Sequence, residues 1–330
     1  MGVVLSAAMT AALAYAIVPV LLRRSIVDVP NARSSHVRVT PRGGGLAPVA
    51  VLLALAALAA TSGLLPQDMA ILAVLALALA LLSLADDIRS IGAGLRLSVH
   101  LGAVMIALGM LVPTGTGLFK SWLPLPLEWT LLAVGLLWFM NLFNFMDGID
   151  GISGTELASL GLGIMAVLWI SGDATRLAGL MLAAGVLAGA GLGFLAVNWH
   201  PARVFMGDVG SVTLGFLAGW LLLLLAMGGH LAAALILPAY YITDATVTLL
   251  IRIVEGDRLS EAHRKHAYQR AVRGGLSHDG LCLRIAALNA ALAALAMLAS
   301  HVAGVVWPLT LMFVAYALAL ALFLQFRRMA

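Results

Sequence analysis

The sequence predicts an all-α polytopic membrane protein, with the N-terminus outside and the C-terminus in the cytoplasm. Three observations carry this. Hydrophobic residues make up 62% of the 330 and charged residues 10%, with a mean hydropathy of +1.06, more apolar surface than a water-soluble core of this length could hide. About eleven apolar runs approach the roughly 20 residues that a transmembrane helix needs. The basic residues, finally, are strongly segregated between alternate loops.

In chain order the runs cover 2–22, 44–62, 69–85, 97–112, 129–146, 155–171, 176–197, 211–228, 231–251, 282–300 and 302–325, the third being short. With these limits only Lys120 and Arg176 fall in the even-numbered loops; every other Lys and Arg lies in the odd-numbered loops or the C-terminus, the cytoplasmic side. Most acids follow them. No connecting segment is long enough for a soluble domain, so residues 1–330 read as one integral domain with cytoplasmic loops 23–43, 86–96, 141–154, 198–211 and 252–281. Met1–Ser6 formally fits a myristoylation pattern but reads as the start of the first hydrophobic helix, without the basic leader of a signal peptide. The lone Cys282 excludes an intramolecular disulfide framework. Gly185, Gly189 and Gly193 share one helix face and permit close packing, within the monomer or, as the lesser reading, at a homodimer seam. Trp122 and Trp129 read as interfacial anchors, and no nucleic-acid partner is expected.

The polar clusters all lie on the cytoplasmic side. Asp86-Asp87 ends the third run, at the negative end of that helix dipole, and requires a cation or a cationic side chain; pairing with Arg89 is the simplest source. Asn141-Leu-Phe-Asn144-Phe-Met-Asp147-Gly-Ile-Asp150-Gly151 places two carboxylates and two carboxamides at the end of the fifth, with Asp147 and Asp150 on one face if the helix continues. Either they serve a ligand, or they form a polar turn with capping groups. Phe205-Met-Gly-Asp208-Val-Gly-Ser211 brings a third acid to the same face, as an N-cap or as a ligand-binding carboxylate. His263-Arg264-Lys265-His266, followed by Arg270 and Arg273, suits a polyanion such as pyrophosphate better than a metal, or else a headgroup-facing surface. Glu156 fits a capping box with Ser153, and Asp244 lies within the ninth run, where intramembrane pairing is as good a reading as catalysis.

Carboxylate clusters beside a basic loop suit phosphoryl transfer, in which Mg²⁺ takes one or two carboxylates together with substrate phosphates. Four segments in register resemble the polyprenyl-phosphate N-acetylhexosamine-1-phosphate transferase family, glycosyltransferase family 4. They are Asp28–His36 with Thr40–Gly44, Asp86-Asp87, Asn141–Gly151 and Phe205–Ser211, with the basic His loop as a fifth element. The resemblance implies that undecaprenyl phosphate attacks the β-phosphorus of a UDP-N-acetylhexosamine at the cytoplasmic face of a bacterial inner membrane, releasing UMP. It implies Asp208 and Asn144 as ligands of Mg²⁺ or Mn²⁺, and Asp86 and Asp87 as residues that accept the lipid phosphate's proton or steer its attack. Asp147 supports both functions of its segment. Asp150, Asn198 and Phe205 fall where the family recognises uracil, and His263, Arg264, His266 and Arg42 where it contacts pyrophosphate or sugar.

One departure bears on the substrate. Many members carry His-x-His-His in the basic loop, where this chain has Lys265 followed by Ala-Tyr-Gln. That tail is more similar to enzymes initiating O-antigen or other surface glycans, with GlcNAc, FucNAc or QuiNAc as the sugar, than to the phospho-MurNAc-pentapeptide transferases of peptidoglycan synthesis. An ion-coupled transporter is the rival from another class, opposed by the lack of paired broken helices.

Overall fold

The computed structural model describes residues 1–29, 38–63, 69–89, 91–111, 118, 122–258 and 263–329, except for the side chains of residues 69 and 87–89. The described chain is almost entirely helical. Its helices are α1 (Gly2–Arg23), α2 (Leu46–Thr61), α3 (Met69–Arg89), α4 (Ala93–Gly109), α5 (Leu125–Met146), α6 (Ile152–Ile170), α7 (Ala178–Asn198), α8 (Asp208–Leu225), α9 (Leu231–Ile236), α10 (Ala239–Val254), α11 (Ala267–Arg273), α12 (His278–His301) and α13 (Val306–Arg327). A short antiparallel pair, β1 (Val27–Asp28) and β2 (Thr40–Pro41), is the sheet among the described residues.

Seven helical stretches are long and apolar enough to cross a membrane, and Leu46–Thr61, Ala70–Asp86 and Ala93–Gly109 are shorter apolar helices. The protein is an all-α polytopic membrane protein. The break between the expected eighth and ninth runs falls in the gap the sequence leaves for it, and the ninth run is itself divided in two. The helical stretch Asp208–Ile236 is broken at Gly229, whose φ of +103° is open to glycine but strained for other residues. Pro238 then separates α9 from α10, because it lacks the N–H that would continue the ladder.

α6, α7 and α8 are mostly buried, whereas α1 and α13 leave large apolar side chains such as Val4 and Phe313 bare, as lipid-facing helices do. In lipid the hydrophobic effect gives helices no reason to associate, so close backbone contact has to supply the attraction. The chain provides it with glycine. A Cβ on Gly161 of α6 would strike the Ala184 carbonyl of α7, and Cβ atoms on Gly189 and Gly193 would strike the carbonyls of Val3 and Ala7 on α1. Ser6 adds an interhelical bond, donating to the Val186 carbonyl at 2.8 Å. The glycine stripe of α7 therefore seats α1 of the same chain.

α5 and α8 approach closely at Gly215, where a Cβ would lie 2.8 Å from Cβ of Phe143. α3 also packs on α8. This brings together the C-terminal ends of α3 and α5 and the N-terminal ends of α4 and α8. At the other end of α6 and α8, Asp173 binds Arg176 at 2.6 Å and His230 at 2.9 Å, and Arg176 donates to the Gly228 carbonyl at 2.8 Å. The Arg176 bond, helped by His230 and opposed by burial, holds the Asp173 carboxyl at about 2.

Seating α1 on bare backbone predicts the effect of filling the seam. Gly193→Leu forces α1 outward at a cost of about 1–3 kcal/mol and lowers the melting temperature in detergent. Gly102→Leu, where a Cβ meets nothing within 4 Å, leaves it unchanged. Equal melting temperatures for the two variants would contradict this packing.

Candidate active site

α8 begins without a side-chain cap. Gly207, at φ +73°, turns the chain into the helix, and Asp208 is its first residue rather than its N-cap, so its carboxylate is not spent on the helix end. Asn144, in the last turn of α5, donates through Nδ2 to Asp208 Oδ1 at 3.2 Å and to Ser211 Oγ at 2.8 Å. The neighbouring Asn141 instead donates back to the Leu137 carbonyl of its own helix at 2.7 Å.

Asp86 reaches the same place from the last turn of α3. Its Oδ1 accepts from the Ile91 N–H at 2.6 Å and its Oδ2 lies 2.5 Å from Arg96 Nη1. The same Arg96 nitrogen is 3.7 Å from Asp208 Oδ2. Arg96 is thus a described partner that offsets the dipole penalty on Asp86, and the side chain of Arg89, the expected partner, lies outside the described residues. Arg96 was absent from the expected site residues. Its signal was a positive charge in the first turn of α4, the positive end of a helix dipole, where it is unfavourable without acidic partners. The side chain of Asp87 lies outside the described residues, as do residues 30–37 of the first motif.

The shared face expected for Asp147 and Asp150 does not form, because α5 ends at Met146 and Asp147 leaves the helical conformation. Asp147 accepts from Ser153 Oγ at 2.6 Å. Burial raises the Asp147 carboxyl to about 7; the Ser153 bond opposes the rise and the charge of Asp208 adds to it. The expected capping box is also absent. α6 starts at Ile152 after Gly151, Ser153 is spent on Asp147, and Glu156 accepts from Asn289 Nδ2 of α12 at 2.7 Å. Glu156 remains structural, but it ties two helices rather than capping one.

Asp150 is buried among histidines. Its Oδ2 lies 2.7 Å from His200 Nδ1 and 3.3 Å from His278 Nδ1, and it accepts from the Ala202 N–H at 3.1 Å. Burial pushes this carboxyl up, but the bonds from His278, His200 and Ala202 prevail and hold it below the usual carboxylate range. The three side chains hold ligand atoms within 4.8 Å of one another, a cluster unforeseen because His278 is remote in sequence. Asn198 has both ends of its carboxamide satisfied internally, by the Gly151 N–H and the Val204 carbonyl, each at 2.9 Å. Its direct effect is to fix the 198–204 loop against the start of α6. Phe205 and Arg42 form a parallel backbone bridge, with Phe205 N–H donating to Pro41 at 2.8 Å and Gly44 N–H to Phe205 at 2.8 Å. Gly45 and Gly210 meet there so closely that neither could carry a Cβ.

Asp244 organises the basic loop. Fully buried in α10, it accepts from Tyr240 Oη at 3.0 Å, Thr248 Oγ1 at 3.2 Å, the Ala267 N–H at 3.0 Å and the Tyr268 N–H at 3.1 Å, with His266 Nδ1 at 3.2 Å. A carboxylate so supplied at the start of α11 repays its desolvation. Tyr268 in turn donates through its hydroxyl to the Phe145 carbonyl at 3.0 Å, next to the end of α5. A Cβ on Gly148 would collide with that hydroxyl. His266 stacks between His263 and Tyr268, with centroids at 4.9 and 5.7 Å. Burial, with the charges of His266 and Arg252, pushes the His263 imidazole down to about 4. Lys265 is held by Glu255 at 2.7 Å and Asp257 at 2.6 Å, and together with Arg264 it lines a cavity beside α10, α11 and α13.

The structure thus brings Asp86, Asn144 and Asp208 together at helix ends, with Asp147 close enough to Asp208 to feel its charge. Asp86 and Asp208 converge on one cationic nitrogen, so a small divalent cation in its place would meet hard oxygen donors of the kind Mg²⁺ prefers.

Comparison with known proteins bears on the family. The family model described as Glycosyl transferase family 4 matches residues 69–226, the stretch that carries these helix ends. The chain is 30% identical to a protein of Bacillus subtilis (strain 168) named "Probable undecaprenyl-phosphate N-acetylglucosaminyl 1-phosphate transferase", over 79% of this chain and 75% of that one. It is 34% identical to a phospho-N-acetylmuramoyl-pentapeptide-transferase of Synechococcus sp. (strain CC9605), over 59% of this chain and 61% of that one. The chain belongs to glycosyl transferase family 4, the polyprenyl-phosphate N-acetylhexosamine-1-phosphate transferases that its motifs resemble.

Proposed function

We propose that this protein transfers N-acetylhexosamine 1-phosphate from a UDP-sugar to undecaprenyl phosphate at the cytoplasmic face of a bacterial inner membrane. In this reading it has eleven spans, its N-terminus outside and its C-terminus inside. An oxygen of the lipid phosphate attacks the β-phosphorus of the UDP-sugar, the bond to the α-phosphate oxygen breaks, and UMP leaves. The observation that carries the reading is the carboxylate of Asp208, unspent on its helix and grouped with Asn144, Asp86 and Arg96.

Asp208 and Asn144 hold Mg²⁺, or Mn²⁺, which when bound neutralises pyrophosphate charge. Everything else falls to the protein. Asp86 and Asp87 steer the lipid phosphate; with its second pKa near 6, that phosphate needs little help from a base at neutral pH. Arg96 keeps Asp86 aimed, and Asp147 supports the Asp208 side. His263, Arg264, His266 and Arg42 serve the pyrophosphate and the sugar. Asp150, Asn198 and Phe205 form the nucleobase side, with Asn198 fixing the loop rather than offering a free amide.

The sugar is a GlcNAc-type N-acetylhexosamine and the product initiates an O-antigen or other surface glycan. The name of the Bacillus subtilis relative and the Lys265-His-Ala-Tyr-Gln tail support this. The pentapeptide-transferase reading keeps the same site and differs in the donor, and the Synechococcus relative is the finding in its favour.

Purified protein given Mg²⁺, undecaprenyl phosphate and a panel of UDP-sugars should release UMP with an N-acetylhexosamine donor, and Asp208→Asn should lose about 10³-fold. No UMP from any sugar, with wild type and Asp208→Ala alike, would sink the reading; release only from UDP-MurNAc-pentapeptide would move the protein to the other branch. Gly148→Ala should displace the Tyr268 hydroxyl from Phe145 and slow turnover by about 10²-fold without loss of fold. Unchanged turnover would remove that contact from the site's support.

A further inference from the structure

Asp150 sits in the turn between α5 and α6 and is gripped from two sides. From the loop after α7, His200 Nδ1 and the Ala202 N–H reach its Oδ2, at 2.7 and 3.1 Å. From the start of α12, His278 Nδ1 lies 3.3 Å from the same Oδ2 and 3.3 Å from the Asp150 backbone nitrogen. Cys282, one turn further along α12, donates its thiol to the Asp150 carbonyl at 3.3 Å. Protonated at Nδ1, His278 serves the carboxylate; unprotonated there, it accepts from the amide of the same residue. Both states anchor the aspartate. His278 is buried and His200 packs on it with ring centroids at 4.7 Å, so each imidazole supports the placement of the other.

Among the described residues, every bond to this carboxylate ends on Oδ2. Oδ1 takes none of them, and it is not a buried orphan. One oxygen is committed to holding the group and the other is open to a donor from outside the protein. A carboxylate supplied with several donors keeps its charge, and in that state it accepts hydrogen bonds and donates none. Uracil presents an N–H at ring position 3, whereas cytosine presents a bare nitrogen there. An ionised Oδ1 suits the first and opposes the second, and a site built around one hydrogen bond strongly rejects a ligand that cannot make it. We infer that His200 and His278 are positioning residues for nucleobase choice, which keep Asp150 aimed as an acceptor so that a uracil nucleotide is taken and a cytosine nucleotide refused. This rests on the placing of Asp150 at the nucleobase in the transferase reading.

The test uses the full-length protein in detergent, with UMP and CMP as probes. Wild type should bind UMP about 10²-fold more tightly than CMP. His278→Phe and His200→Phe keep a ring and remove the donor; each should weaken UMP binding about tenfold and narrow the preference. The KM for the UDP-N-acetylhexosamine should rise by the same factor with kcat unchanged. His278→Asn, whose amide nitrogen falls near the place of Nδ1, should restore both UMP affinity and KM. UMP binding equal to wild type in both Phe variants overturns the inference, and so does a fall in kcat without a rise in KM. One Zn²⁺ retained per chain and lost in His278→Phe also overturns it, by making the cluster a metal site. Wild type that binds neither nucleotide fails the transferase reading itself, a different result from variants that leave a working nucleotide site untouched. Should His278→Phe not fold, His200→Phe, at the more exposed of the two positions, decides alone.

Discussion

Asp86 and Asp208 come from different helices, yet both approach one nitrogen of Arg96. A carboxylate at the C-terminal end of an apolar helix opposes the helix dipole, and a guanidinium in the first turn of another does the same. Each is unfavourable alone; together with Asp208 they compensate one another. That mutual requirement fixes α3, α4 and α8 at one level of the membrane, and Asn144 adds α5 by donating to Asp208 and Ser211. A cluster of polar atoms is thereby held at the ends of helices that are otherwise apolar throughout.

The rest of the architecture brings the connecting segments to that cluster and holds them there. Asp244 binds the start of α11 from within α10, and Tyr268 carries the connection on to the end of α5. Asn198 fixes the loop before α8 to the start of α6, and the Gly45–Gly210 contact brings the 40–45 segment against the same loop. Buried carboxylates and carboxamides that find their donors inside the chain act as fasteners. Glycine makes the fastening possible wherever two backbones have to touch.

Much of this was readable in the sequence. Composition, the length of the apolar runs and the segregation of basic residues gave the helical membrane class, and the grouping of Asp86, Asn144 and Asp208 was implied by the family resemblance of the motifs that carry them. What escaped were partnerships between remote positions. Nothing local pairs Arg96 with Asp86 and Asp208, His278 with Asp150, or Asp244 with α11. The errors were local geometry. Because α5 stops at Met146 instead of continuing through Asp150, Asp147 and Asp150 part company, and a start at Ile152 rather than after Ser153 dissolves the capping box. Helix ends are decided by tertiary donors and by residues such as Gly151, which spacing rules do not resolve.

The central claim is that the oxygens of Asp208 and its neighbours form a divalent-cation site, and electron paramagnetic resonance of Mn²⁺ titrated into the purified protein measures it directly. The account predicts one bound Mn²⁺ per chain, displaced by Mg²⁺, lost in Asp208→Asn and kept in Asp150→Asn. Undiminished binding in Asp208→Asn, or its loss in Asp150→Asn, would contradict the account and place the cation among Asp150, His200 and His278 instead.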